Sequence, residues 1–146
     1  MVLSHEDQDP TEPHPYWYGR IIGIFHVQVH HIGPYSKSTE IQRVDFLWVR
    51  WFGRDVDYRA GWKRRRLHRL GFLGGDDEGA FGFLDPNEII RGAHLIPAFA
   101  WGRTSMILGP SIARQDSENN EDWYHYYVNM FVAVFFYVRS LYCKVH

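Results

Sequence analysis

The sequence predicts a mainly β domain, a small barrel or sandwich of about six short strands joined by long loops. Three observations predict it. β-Branched and aromatic residues gather in short runs, as in Arg43–Phe52 (RVDFLWVRWF). Turn-forming Gly, Pro, Asn and Asp separate those runs. Helix signals are few, and no heptad or internal repeat is visible.

Tyr16–Val29 (YWYGRIIGIFHVQV) is the first strand, with Gly19 and Gly23 expected to mark bulges or bends. His31–Thr39 is turn material. Arg43–Phe52 places Val44, Phe46 and Trp48 on one face and Leu47, Val49 and Trp51 on the other, and bulk on both faces predicts a central strand or a small barrel. Leu67–Leu73 and Ala80–Leu84 flank Gly74–Gly79 (GGDDEG), which reads as a hairpin loop. Asp85-Pro86 ends the second of these strands, because proline has no N–H for a ladder. One helical turn over Asn87–Ile90, a short strand over His94–Phe99 and a last one over Trp123–Val132 complete the count.

The chain has 146 residues, enough for one domain with a real core. Apolar residues make up 45% and aromatic residues 17%, the composition of a folded chain. Formal net charge is −1, so any attraction to nucleic acid must be local. The single cysteine, Cys143, excludes an intrachain disulfide and fits a reducing compartment. Residues 1–15 lack the apolar centre of a secretory signal. The longest apolar run, Met130–Val138, is shorter than the ~20 residues that span a bilayer. The expectation is therefore an intracellular protein without a membrane partner.

Residues 1–15 read as a flexible arm, residues 16–132 as a single β-rich domain, and residues 133–146 as an atypical tail. Within the domain, residues 101–122 form a long, polar surface connection.

The order WVRWFGR, strand, Pro break, IIRGAHLIP resembles that of BAH domains, chromatin-associated barrels of SH3-like build. His94 stands where that pattern has Cys. A resemblance covering more of the chain is to basidiomycete fungal proteins associated with Plavaka- or KDZ-type transposable elements. It rests on HPYWYGRIIGIFHV, DFLWVRWFGR, GWKRRRLHRLGF, AFGFLDPNEIIRGAHLIPAFA and DWYHYYVNMFV, which together span roughly residues 14–132. That resemblance implies a C-terminal domain of a larger transposon-encoded protein. It ends at Val132, where the family continues with a charged stretch and a Gly-rich end but this chain reads AVFFYVRSLYCKVH. Such a switch resembles translation through an unspliced intron.

Lys63, Arg64, Arg65 and Arg66, followed by His68 and Arg69, form the dense cationic run. Such a run can touch phosphates or act as a nuclear-import signal. The same charges also suit a solvated strand edge, which they keep from pairing with other strands. Asp76, Asp77 and Glu78 are expected across the hairpin, partly neutralising it. DNA or chromatin is thus the expected partner, contacted through Lys63–Arg66 and Arg69. A structural or protein-binding role in a larger transposase is the alternative.

Trp51, Tyr58 and Trp62, near Trp48, could line an aromatic pocket for a methylated lysine, a use that the BAH resemblance favours. Trp48 and Trp51 have opposite strand parity, which argues for core packing instead. His26, His30 and His31 cluster in sequence without Cys, and His26 and His30 lie too far apart on an extended strand to share one ion, so no metal or cofactor is expected. Asp45, Asp85 and Glu88 could imitate the acidic cluster of a degenerate metal-dependent nuclease. No serine has a nucleophile-elbow setting, and no small-molecule substrate is evident.

Overall fold

The computed structural model describes residues 1–4, 14–38 and 40–129. These form a mainly β fold of nine strands: β1 (Val2–Leu3), β2 (Tyr16–Val29), β3 (Gln42–Arg54), β4 (Arg69–Phe72), β5 (Phe81–Leu84), β6 (His94–Pro97), β7 (Arg103–Thr104), β8 (Asp122–Trp123) and β9 (Tyr126–Asn129). The main sheet is antiparallel in the order β1-β2-β3-β4-β9-β6, with β5 also paired to β3. It curls into a half-barrel. Two hydrogen bonds link its far edges: Ile90 N–H to the Met1 carbonyl at 3.1 Å, and the Met1 amino group to the Arg91 carbonyl at 3.2 Å.

β3 is the central strand that its two apolar faces predict, pairing with β2 along one edge and with β4 and β5 along the other. The expected hairpin between β4 and β5 is corrected by the ladder. These strands do not pair with each other but lie end to end along the same edge of β3. Trp51 marks the junction: its carbonyl accepts from Leu73 N–H at 3.2 Å, and its N–H donates to the Ala80 carbonyl at 2.9 Å. Gly74–Gly79 is therefore an excursion from one interrupted strand. Gly75 has a steric reason to be there, since a Cβ on it would stand 2.7 Å from Leu108 and 3.3 Å from the Ile107 carbonyl.

A bulge does occur in β2, where Ile21 pairs with Val49 but Gly23 with Trp48, leaving Ile22 as the extra residue. Beyond it the β2–β3 ribbon extends away from the core, with residues 24–29 exposed. On one face Phe25 stacks on Phe46 at 5.5 Å and Phe83 meets Phe46 edge-on at 5.4 Å. The helical turn is a 3-10 turn over Pro86–Glu88, with the Asp85 side chain accepting from Asn87 N–H. The last predicted strand is divided into β8 and β9. Residues from 130 onward, including the tail read as intron translation, lie outside the described residues, as do residues 5–13 of the arm.

The core follows strand alternation. Tyr18, Phe52, Leu70, Phe72, Tyr126 and Val128 are buried together, from β2, β3, β4 and β9. Phe52 and Phe72 sit opposite each other in register and stack at 4.0 Å, with Tyr126 edge-on to both.

A charged layer lies against this core. Arg20 and Arg50 are direct cross-strand partners, an unfavourable pairing of like charges. Their guanidinium carbons lie over the Phe72 ring at 4.6 and 3.8 Å. The anions come from the connection after β7, whose polar composition predicts a surface loop but whose Asp122 is buried. Its buried Asp122 accepts both Nη groups of Arg50 at 2.9 Å, and both of Arg114 at 3.1 and 2.9 Å. Glu118 pairs with Arg20 and, at 3.6 Å, with Arg114. Both partners of the Arg50–Asp122 pair have fully buried side chains. Removing one partner of such a pair strands the other in low dielectric, which costs about 3–5 kcal/mol. Asp122→Ala is accordingly expected to lower unfolding free energy by about that amount in urea titration, whereas Asp116→Ala on the exposed 3-10 turn changes it by less than about 0.5 kcal/mol.

Candidate nucleic-acid interface

The basic run is carried on a short, pinned loop. Gly61 and Arg66 form an isolated bridge, with Gly61 N–H donating to the Arg66 carbonyl at 2.8 Å and Arg66 N–H returning at 3.4 Å. Between them Trp62–Arg64 makes a 3-10 turn, closed by Arg65 in the left-handed region at φ 54°. Gly61 has φ 98°, a conformation that L side chains rarely adopt, so the bridge depends on glycine there. All residues from 62 to 66 are exposed.

Two adjoining depressions result. Arg59, Lys63, Arg64 and Arg66 line an open hollow of about 450 Å³ with no acidic residue in its lining. Among the described residues, none of these four is in an ion pair. On the other side of Arg66 lies a mainly apolar pocket of about 290 Å³, lined by Trp62, Leu67, His68 and Val128 together with Gly61, Arg65 and Arg66. Trp62 is 76% exposed and Val128 only 1%, so the pocket runs from an open indole down to the core.

Arg69, grouped with the run in the sequence analysis, is placed elsewhere. Its guanidinium holds Asp55 through Nε at 2.8 Å and Nη2 at 2.6 Å, and lies over the rings of Tyr58 and Trp101 at 4.3 and 4.7 Å. Burial disfavours ionisation of Asp55, but the Arg69 hydrogen bond and charge, with the Tyr58 N–H, outweigh it and hold the carboxyl below its ordinary value. Arg69 thus braces the base of the loop. The Asp76–Glu78 acids do not face the basic run, because the two loops leave opposite ends of β4, about 13 Å of strand apart.

The three residues of the expected aromatic pocket have different neighbours. Trp51 lies edge-on to Trp17 at 5.8 Å, its ring against Gly19 and Gly82. Tyr58 lies under Arg69, and Trp62 borders the loop pocket. No ring contact joins the three, and the cations around Trp62 would repel a methylated lysine. Asp45 pairs with Arg43, and Asp85 caps its turn. Among the described residues no group of three or more His, Cys, Asp or Glu could hold a metal ion. No helix among them is long and apolar enough to cross a membrane.

One juxtaposition was hidden by sequence distance. His14 and His68 bring their rings to 4.3 Å, and a His14 ring nitrogen lies 3.0 Å from the Tyr18 hydroxyl. Burial, then the charges of His68 and Arg54, push the His14 pKa down to about 4. Burial, followed by Tyr16 and against Arg91 and Arg54, pushes Tyr18 up to about 12. The wall of the apolar pocket is thus backed by a neutral imidazole and a neutral phenol at physiological pH.

No family model, curated protein or solved structure matches the chain.

The histidine pair has a measurable consequence. A folded-state value near 4 against about 6.5 unfolded means that the unfolded chain binds the extra proton between those limits. The His14 contribution is fully present above pH ~6.5 and is lost as pH falls toward ~4. In an NMR titration His14 is expected to remain neutral at pH ~5.5, where an ordinary histidine is about 90% protonated. Urea titrations should show a smaller loss of stability over this range for His14→Phe than for the parent chain.

Proposed function

We propose that this chain is a non-enzymatic module that binds nucleic acid through the Gly61–Arg66 loop, in the setting of a transposon-associated fungal protein. The observation that carries the reading is the cationic hollow of Arg59, Lys63, Arg64 and Arg66, with no carboxylate paired to them among the described residues. By contrast, Arg20, Arg50, Arg69 and Arg114 are each tied to an acid. A rigid, pinned loop that leaves its cations unpaired suits a polyanion, whose phosphates release counterions when neutralised.

A protein-binding role within a larger transposase is the second reading. The exposed apolar face of the β2–β3 ribbon favours it, with Phe25, Val27, Val44 and Phe83 from 37% to 73% exposed.

Fluorescence anisotropy with a labelled oligonucleotide tests the first reading. Four phosphate contacts predict a log–log salt slope of about −3, and hence roughly a 50-fold loss of affinity between about 50 and 200 mM salt. Replacing Arg59, Lys63, Arg64 and Arg66 together with Ala should abolish most binding and flatten that slope, while Arg43→Ala on the far ribbon leaves both unchanged. Undiminished binding in the quadruple variant would remove the basic loop as the interface.

A further inference from the structure

We infer that the loop takes single-stranded rather than duplex nucleic acid, with one base seated on Trp62 while its flanking phosphates occupy the cationic hollow; this rests on the nucleic-acid reading above. The two depressions share Arg66 and are of opposite character, one lined by cations and the other mainly apolar. That pairing matches a nucleotide, whose charged phosphate and flat apolar base are joined through one sugar. Trp62 lines the apolar depression, is 76% exposed, and is followed in sequence by Lys63 and Arg64 of the cationic one.

The pocket's volume of about 290 Å³ lies just below the usual range for drug-sized ligands, consistent with one ring system rather than an extended molecule. Its floor is Val128 and its wall is Leu67 with His68, whose ring is itself packed on His14. These surfaces favour stacking and exclusion of water over reading of base edges. A duplex keeps its bases stacked inside and would bring only phosphates to the loop, leaving the indole unused. A single strand presents both groups together, and aromatic platforms in basic grooves bind it with little sequence preference.

Oligonucleotides of one length, as dT single strand, rU single strand and mixed-sequence duplex, distinguish the possibilities by anisotropy at fixed low salt. Both single strands should bind more tightly than the duplex. Trp62→Ala should weaken single-strand binding roughly tenfold, leaving duplex binding and the salt slope unchanged. Trp62→Phe, which keeps an aromatic face, should retain most of the affinity, and circular dichroism establishes that each variant is folded. Equal binding of duplex and single strand, or a Trp62→Ala variant with undiminished single-strand affinity, would overturn the stacking proposal. In that case a loss of binding in the Arg59, Lys63, Arg64 and Arg66 quadruple variant would still uphold the basic loop. If no oligonucleotide binds, or the quadruple variant binds normally, the underlying reading falls together with it.

Discussion

Two arginines placed opposite each other on neighbouring strands set the terms for the rest of this fold. Arg20 and Arg50 face the same side of the sheet, beside Phe72, and neither could stay there without nearby anions. The chain solves this by folding residues 103–123 back over the barrel, delivering Glu118 and Asp122. Asp122 uses its whole carboxylate, accepting four N–H groups from two guanidiniums. Charge thereby adds to the apolar anchoring of this connection, in which Ile107 and Trp123 pack half-buried against the core and Ala113 is buried.

The same layer fixes the candidate interface at one remove. Phe72, covered by the two arginines and stacked on Phe52, sets the position of β4. β4 begins at Arg69, whose grip on Asp55 braces the loop that precedes it. Within that loop the Gly61–Arg66 bridge and the left-handed Arg65 turn the remaining cations outward. Among the described residues, Arg20, Arg50 and Arg69 on the strands and Arg114 on the connection are tied to acids, whereas Arg59, Arg64 and Arg66 of the basic hollow are exposed and in no ion pair.

Much of the strand layout was legible because it depends on local chemistry. Tyr16–Val29 is a strand over its full predicted length, and the alternating bulk of Arg43–Phe52 marked the central strand. The Asp-Pro stop and the Asx-capped turn after β5 were equally local. What the sequence concealed was long-range. Gly74–Gly79 has the composition of a hairpin loop, yet which strand pairs with β5 depends on the vacant edge of β3 and not on the loop itself. Arg50, Arg114 and Asp122 were unreadable as a cluster because 72 residues separate the first from the last. Arg69 looked like its neighbours in sequence, and only the positions of Asp55, Tyr58 and Trp101 distinguish it. His14 and His68 likewise meet only after β2 and the basic loop are both in place.

The interrupted strand at Trp51 has a practical meaning for the chain's tolerance of change. Because the N–H and the carbonyl of one residue staple the two sides of the excursion, its length is uncoupled from the register of β4 and β5. Loop-closure entropy grows slowly with length, so added residues there cost little. The Gly75 N–H donates to the Ile107 carbonyl at 2.7 Å, so the glycine side of the loop is committed to holding the overlying connection. The exposed Asp76–Glu78 tip carries no such duty. It is where the polypeptide can be lengthened, tagged or cut while the two ends stay in place.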